Sequence, residues 1–243
     1  MAVYAAGVVV TYEVITPKPP LPTASTRCCT FSSLAPNYDA EVERDEQRSG
    51  IVNMRRDLVQ RAEGRVLEVA AGTGRNLPFY SAALVKELFI GDFCEGMLQV
   101  TAQKLAKLRT TAAGDDCPSK VTLAVLDAAA LPFADGAYDT VVDSFGLCSF
   151  EDPEMALKEM ARCCRPGGQV LLLEHGASWL PPLRWWQRHR LNRHVQRYGC
   201  YWDRDIMSLV KGSGLKVIEV KQYHLGTTHV IHCAPQVLDG GLD

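Results

Sequence analysis

Glycine and carboxylate residues follow three consecutive apolar runs in this sequence. Gly72 and Gly74 come just after the run at residues 66–69. Asp92 lies eighteen residues after Gly74, and Asp127 follows the third run. Glycines at a strand tip let the backbone approach a ligand closely, and a carboxylate at the next strand end can accept hydrogen bonds from both hydroxyls of a ribose. A further carboxylate can meet an adenine amino group, so the three positions together predict a site for an adenosine-containing cofactor.

The spacing of the glycines argues against a dinucleotide cofactor. The usual Gly-x-Gly-x-x-Gly fingerprint would need a third glycine at position 77, where this sequence has Leu77. A nicotinamide-dependent dehydrogenase is therefore a poor interpretation. Gly-x-Gly alone is also compatible with an ordinary strand-to-helix turn, and a single acid is most often a cap or turn residue, so the prediction depends on the combination.

The elements that would position these residues alternate along the chain. Helical patterns at residues 96–108, 153–164 and 203–211, with one or two amphipathic helices over residues 38–62, separate the apolar runs. Pro166-Gly167-Gly168 predicts a turn between a helix and a strand. The alternation predicts parallel βαβ units. Short β-branched runs predict strands at residues 65–69, 87–90, 121–126, 140–142, 169–173, 215–220 and 228–233.

The first 34 residues differ in composition from the rest of the chain. Residues 2–12 are uncharged and mostly apolar, but a helix needs about 20 such residues to cross a bilayer. They also lack the basic start of a signal or transit peptide. The end of a membrane anchor, a short surface element and a mis-assigned start all remain open. Residues 16–34, rich in Pro, Ser and Thr, predict a linker, which leaves one domain over residues 35–243.

Charge and cysteine content exclude some classes of partner. The chain has 26 basic and 28 acidic residues, so no bulk positive field attracts nucleic acid, and no nucleic-acid partner is expected. Nine cysteines, an odd number without a C-x-x-C spacing, favour a reducing compartment and predict no metal site.

Four segments resemble the class I S-adenosylmethionine-dependent methyltransferases, in the branch of the ubiquinone/menaquinone C-methyltransferases and their type 11 relatives. Residues 66–76 (VLEVAAGTGRN) look like the first motif of that family, 91–98 (GDFCEGML) like the acidic second motif, and 127–133 (DAAALPF) like the third. Residues 138–142 match the fourth strand, and residues 165–168 match the turn before the fifth. In two departures, Ala70 stands where a glycine is usual, and Phe93-Cys94 replaces a more polar pair.

The resemblance implies a fold, a cofactor and a set of contacts. The fold would be α/β: a Rossmann-like, seven-stranded, mostly parallel sheet with helices on both faces, an antiparallel C-terminal edge and an N-terminal helical lid. Tyr38 would close over the cofactor, although it could equally fix the N-terminal helix. The cofactor would be S-adenosylmethionine, held by Tyr38, Glu68, Ala70, Gly72, Gly74, Asp92, Phe93, Met97, Asp127, Ala128 and Ser144.

Methyl transfer from a sulfonium is an in-line displacement that mainly needs alignment and exclusion of water. An acceptor that must lose a proton also needs a base. His175 is the best-placed candidate, because it follows the fifth predicted strand and strand ends face the site in such folds. It could instead be a loop histidine bonded to backbone, and Glu174 could orient it or cap the next turn.

An insert after the fifth strand combines Trp179, Trp185 and Trp186 with arginines between residues 184 and 197. Three interpretations stay open. The insert could lie on an anionic membrane surface, where tryptophans sit at headgroup level. It could cap the acceptor pocket, or it could be a solvated amphipathic helix with its tryptophans packed inward.

Segments around the insert sharpen the resemblance. Residues 174–176, 198–206 and 224–228 look like a eukaryotic mitochondrial inner-membrane methyltransferase-like family, and more distantly like membrane-bound thiol and bacterial phosphatidylethanolamine methyltransferases. The implied protein is mitochondrial, or otherwise cytoplasmic, and methylates a small-molecule or lipid-like acceptor. Membrane association would use the N-terminal segment or the insert. The alternative is a non-catalytic scaffold protein that keeps the methyltransferase fold at a mitochondrial membrane.

Overall fold

Seven strands form the centre of the computed structural model, which describes residues 17–110 and 117–236. Apolar side chains occupy both faces of most strands, as expected for a sheet that is covered by helices on both sides. The strands are β1 (Gly64–Val69), β2 (Val85–Asp92), β3 (Val121–Val125), β4 (Tyr138–Ser144), β5 (Cys164–His175), β6 (Leu215–Tyr223) and β7 (Thr228–Pro235).

The sheet order is β3-β2-β1-β4-β5-β7-β6. β1 to β5 are parallel, whereas β7 pairs antiparallel with both β5 and β6. The predicted Rossmann-like sheet with an antiparallel C-terminal pair is therefore confirmed. The reversed strand β7 lies one place in from the edge, which is formed by β6.

In the described part of the chain, six α-helices surround the sheet. One apolar layer lies on the side of Leu67, Val141 and Leu172, and the other on the side of Val66, Val142 and Leu171. The helices are α1 (Ala24–Ser49), α2 (Ile51–Val59), α3 (Glu95–Arg109), α4 (Pro153–Cys163), α5 (Pro181–Tyr198) and α6 (Ile206–Lys211).

The linker predicted over residues 16–34 is wrong from Ala24 onward. Helix α1 begins there, and the Thr23 hydroxyl caps it by accepting a hydrogen bond from the Thr26 N–H. The prolines at positions 17, 19, 20 and 22 all precede this cap, so none of them blocks the helix. The apolar segment at residues 2–12 lies outside the described residues. Within the described part of the chain, no helix is long and apolar enough to span a membrane.

The predicted turn at Pro166-Gly167-Gly168 is instead a bulge within β5. Tyr138 of β4 pairs with Cys164, but Thr140 pairs with Gln169, so β5 carries three extra residues between the two pairs. Gly167 adopts a left-handed conformation with φ +74°. Pro-Gly-Gly serves a bulge as well as a turn, since both need irregular backbone, and the sequence does not distinguish them.

Candidate functional site

A cavity of about 450 Å³ lies at the carboxyl ends of β1 to β4 and is covered by α1. In an open parallel sheet, ligands bind at the carboxyl ends of the strands, near the point where the strand order reverses. Here that point lies between β1 and β4. Nine of the residues that the sequence singled out as cofactor contacts line this one cavity. They are Tyr38, Ala70, Gly72, Asp92, Phe93, Met97, Asp127, Ala128 and Ser144.

The floor of the cavity is the turn after β1. Ala70 and Gly72 both have positive φ, at 49° and 58°. Ala70 therefore holds the left-handed conformation that usually favours glycine, which is the residue the resemblance would place there. The Gly72 N–H donates to Asp92 Oδ2 over 2.7 Å, and the Cys94 N–H donates to Asp92 Oδ1 over 2.8 Å. Burial raises the pKa of Asp92, which the two N–H donors oppose.

The β3 side of the cavity has a different character. Asp127 follows the end of β3, and its Oδ1 accepts a hydrogen bond from the Ala129 N–H over 2.9 Å. Met97 is buried at the start of α3, whereas Phe93 is 48% exposed. A flat apolar wall beside a carboxylate suits an aromatic base with an exocyclic amino group.

Two predicted contacts, Glu68 and Gly74, do not line the cavity. The Glu68 carboxylate is buried below the turn and accepts hydrogen bonds from Asn76 Nδ2 and Tyr80 Oη, each 2.8 Å long. Burial raises the pKa of Glu68 to about 7. At Gly74, a Cβ atom would lie 2.9 Å from Thr101 Cγ2, so this glycine permits α3 to pack against the turn.

The candidate base His175 is also separated from the cavity. Its ring packs against Phe145, with 4.2 Å between centroids, and Phe145 rather than His175 lines the cavity wall. Burial lowers the pKa of His175 to about 4, and the nearby positive charges of His194 and Arg55 act in the same direction. His175 is therefore neutral at physiological pH and lies behind an aromatic ring.

Sequence reasoning missed Arg55, a buried cation in the cavity wall. Its guanidinium donates to Asn76 Oδ1 and Glu46 Oε1, both over 2.9 Å, and lies 5.4 Å from the centroid of the Phe145 ring. Only 5% of Arg55 is exposed, and its Nε has no hydrogen-bond partner among the described residues. The signal in the sequence is an arginine on the apolar face of α2, four residues after Ile51.

A second arginine anchors α1 over the glycine turn. Arg75 forms ion pairs with Asp39, Glu43 and Glu46 of α1, with N–O distances of 3.4, 2.7 and 2.9 Å. The Thr73 hydroxyl also donates to Asp39 over 2.6 Å. These contacts join the turn and the helix that covers it, so the helix is a fixed wall of the cavity.

The remaining wall of the cavity is largely apolar. Phe31 comes from α1 and packs near Met97, whereas Phe145 and Phe150 follow β4. Tyr38 also lies here, and no described residue hydrogen-bonds to its hydroxyl, whose pKa burial raises. This part of the cavity offers apolar area and one free hydroxyl, and it suits an apolar ligand.

Two carboxyl groups lie buried side by side below this wall. Asp143 of β4 and Glu174 of β5 are both fully buried on the same face of the sheet, and neither has a cation within salt-bridge distance among the described residues. Burial raises the pKa of both carboxyl groups, and the neighbouring Asp143 raises the pKa of Glu174 further. Neither carboxyl lines the cavity.

The described residues also contain no cluster of His, Cys, Asp and Glu that could hold a metal ion.

Comparison with known proteins gives consistent matches. A profile described as a methyltransferase domain matches residues 67–172. The mitochondrial methyltransferase OMS1 of Saccharomyces cerevisiae is 31% identical over 217 residues, covering 83% of this chain and 44% of that protein. A demethylmenaquinone methyltransferase of Renibacterium salmoninarum is 36% identical over 63% of this chain and 60% of its own length. The chain thus spans about half the length of these curated relatives.

A third relative is matched over more of its own length. The phosphatidylethanolamine N-methyltransferase of Cereibacter sphaeroides is 35% identical over 156 residues, covering 64% of this chain and 72% of that protein. Identity over most of a compact domain indicates common descent as well as a common fold.

Solved structures resemble the fold. The [4+2]-cyclase SpnF aligns with a TM-score of 0.69 at 12% identity, over 91% of this chain and 100% of that one. Phosphoethanolamine N-methyltransferase 2 of Haemonchus contortus, solved with S-adenosyl-L-methionine, aligns with a TM-score of 0.58 at 16% identity, over 76% of this chain and 53% of that one. At these identities the likeness concerns the fold alone, because one fold hosts several chemistries.

The buried carboxyl pair makes a prediction about stability and pH. Because both pKa values are raised on folding, these two carboxyl groups bind more protons in the folded state than in the unfolded state up to about pH 7, and their contribution to stability falls as pH rises. An Asp143→Asn substitution removes one of the two acids. Between pH 5 and pH 8, we expect the unfolding free energy of the wild type to fall relative to that of the variant. The expected difference is about 1–3 kcal/mol.

Urea unfolding at a series of pH values measures this difference. The matched control is Asp139→Asn on the same strand, because Asp139 has a lowered pKa and completes its titration below pH 5. Equal slopes for wild type and Asp143→Asn over this range would show that the pair does not titrate on folding.

Proposed function

This chain belongs to the class I S-adenosylmethionine-dependent methyltransferases, and on that basis we propose that it transfers a methyl group from S-adenosylmethionine to a small-molecule or lipid-like acceptor. The observation that carries the proposal is the joining of Gly72, Asp92 and Asp127 in one cavity at the carboxyl edge of the sheet. When bound, S-adenosylmethionine supplies an electrophilic methyl group on a sulfonium.

The residues present fit such a cofactor along its whole length. Asp127 and Met97 would hold the adenine, and the Asp92 carboxylate, fixed by two N–H donors, would accept from the ribose hydroxyls. The methionine end would then extend toward β4 and Ser144. The adenine, ribose and methionine contacts thus follow the strand order β3-β2-β1-β4. An extended cofactor would cross the strand ends in that order.

Arg55 would receive the carboxylate of the methionine end. It lines the cavity beside Phe145, which follows β4, and carries a positive charge there. An anionic ligand group in the cavity would be attracted to this cation and would accept from its N–H groups. Arg75 is poorly suited to this role, because three carboxylates already surround it.

The acceptor would occupy the apolar wall near Phe31, Phe145 and Phe150. Its aromatic lining supports a lipid-like or quinone-like acceptor, the classes on which the named relatives act, over a strongly polar one. The chain's own contribution would be alignment and exclusion of water. For His175 to act as the base, the Phe145 ring would have to move, so the Tyr38 hydroxyl is the better-placed polar contact for the acceptor.

A mitochondrial location at the inner membrane is part of the proposal. The relation to a mitochondrial methyltransferase over 83% of the chain supports the organelle. The apolar composition of residues 2–12 supports attachment to a membrane, as does the insert rich in Trp and Arg, while the domain itself would remain in water.

Transfer is tested by supplying the full chain with S-adenosylmethionine that carries a radiolabelled methyl group. Demethylated quinones, phosphatidylethanolamine and alkyl thiols are offered separately as acceptors. We expect label in one acceptor class, and none with Asp92→Ala. A wild-type chain that binds the cofactor product but labels none of these acceptors would contradict methyl transfer to this group of substrates.

The role of Arg55 is tested by comparing two ligands that differ only in the amino-acid end. S-adenosylhomocysteine carries the carboxylate, and methylthioadenosine lacks it. We expect Arg55→Ala to weaken S-adenosylhomocysteine binding by about 10- to 100-fold, from roughly 1.5–3 kcal/mol for a charged hydrogen bond, with little effect on methylthioadenosine. Calorimetry measures both affinities.

Arg56→Ala is the matched control for this comparison, because Arg56 is the neighbouring exposed arginine, paired with Asp57. Arg55→Lys keeps a positive charge near Glu46. It therefore provides a variant that is expected to fold even if Arg55→Ala does not. An equal loss of affinity for both ligands would mean that Arg55 only supports the cavity wall.

A further inference from the structure

The structure bears on the three interpretations of the insert after β5. No residue of α5 lines the described cavity, which argues against a cap over the ligand. Trp179 and Trp186 are 61% and 43% exposed, whereas Trp185 is partly buried and stacks on His189. Two of the three tryptophans therefore lie on an outer surface of the protein, where burial does not account for them.

A strained loop adds a third exposed apolar side chain to this surface. His224 and Leu225, between β6 and β7, have positive φ of 52° and 58°, which is unusual for two consecutive residues other than glycine. Leu225 is 46% exposed, and its carbonyl accepts a hydrogen bond from the Ser178 hydroxyl, next to Trp179. The loop is thus held in a conformation that presents Leu225 beside Trp179, and retained strain of this kind favours a functional role.

All the charged side chains of α5 itself are positive. Helix α5 contains five arginines and no acidic residue. Arg188 pairs with Asp203, Arg197 pairs with Glu41, and Asp205 lies near Arg184.

Arg190 and Arg193 are exposed, and neither has a carboxylate partner among the described residues. With Trp186 they share one face of the helix, at spacings of four and seven residues. This face therefore carries unneutralised positive charge next to apolar rings.

Other sides of α5 and the segment after it contact the cavity rim and the N-terminal end of the described chain. Arg27, at the rim of the cavity, packs against Gly199 just after α5. Lys18 pairs with Asp203, which also pairs with Arg188, and the Tyr201 hydroxyl donates to the Pro19 carbonyl. These contacts leave the face of Trp186, Arg190 and Arg193 uncovered by the described N-terminal residues.

We propose that Trp179, Trp186, Leu225, Arg190 and Arg193 form a docking surface for an anionic phospholipid bilayer. This inference rests on the proposed function for its purpose, because docking would hold the enzyme at a membrane that contains a lipid-like acceptor. Tryptophan and leucine side chains would enter the headgroup region, and the two arginines would pair with lipid phosphates.

Vesicle binding by the full chain tests the surface. We compare flotation with vesicles of phosphatidylcholine alone and with equimolar phosphatidylcholine and phosphatidylglycerol. The wild type is expected to prefer the anionic vesicles, and Arg190→Glu/Arg193→Glu to weaken that binding about tenfold or more. The matched control is Lys107→Glu/Lys216→Glu, which makes the same charge change at exposed lysines of α3 and β6.

Trp179→Ala/Trp186→Ala tests the apolar part, with Ile218→Ala/Val220→Ala on the exposed edge strand as its control. We expect the tryptophan variant to lose binding and quenching by brominated lipids, and its control to keep both. Binding of S-adenosylhomocysteine, measured separately, verifies that each variant folds and also tests the proposed function independently of docking.

Three results would overturn the docking surface. These are absence of vesicle binding by the wild type, equal binding to neutral and anionic vesicles, and unchanged binding by both surface variants. The last result would assign membrane attachment to another part of the chain, such as residues 2–12.

Discussion

One carboxylate joins two strand ends in this protein. Asp92 accepts hydrogen bonds from the Gly72 N–H of the turn after β1 and from the Cys94 N–H after β2. In a parallel sheet the strands end at one edge, where their backbone groups lose sheet partners and need others. Because Asp92 satisfies two of them with a buried side chain, the turn and the second strand end keep a fixed spacing. Asp127, after β3, and Ser144, at the end of β4, line the cavity on either side of these two strand ends.

The helix that closes the cavity is held by ion pairs more than by the sheet. Arg75 and Arg55 both reach Glu46 on α1, and Arg55 continues through Asn76 to Glu68 below the turn. Buried charges of this kind add little net stability, since desolvation offsets their attraction, but removing one partner is costly. The network therefore fixes where α1 sits. Burial raises the pKa of Glu68 to about 7 directly below this turn, and the hydrogen bonds from Asn76 and Tyr80 and the charge of Arg55 oppose that rise.

Much of this could be predicted from the sequence because each strand is a short apolar run and each site residue follows a strand end. Asp92, Asp127 and Ser144 lie on the cavity for that reason. Other positions depend on contacts between distant segments. Phe145 turns into the cavity wall with φ +62°, so that His175 lies behind it, and the residue in this left-handed conformation is not itself a glycine. The linker prediction for residues 16–34 failed because the prolines at positions 17, 19, 20 and 22 all precede Thr23. Thr23 caps the helix, so the Pro-rich composition applies only to the residues before it.

The central claim is that the joint at Asp92 creates a site for an adenosine cofactor with a methionine end. The most direct measurement is calorimetric titration of the full chain and of Asp92→Ala with S-adenosylhomocysteine and with NAD. The account predicts binding of S-adenosylhomocysteine to the wild type, its loss in the variant, and no binding of NAD. Failure of the folded wild-type chain to bind S-adenosylhomocysteine, or equal affinity in Asp92→Ala, would contradict it.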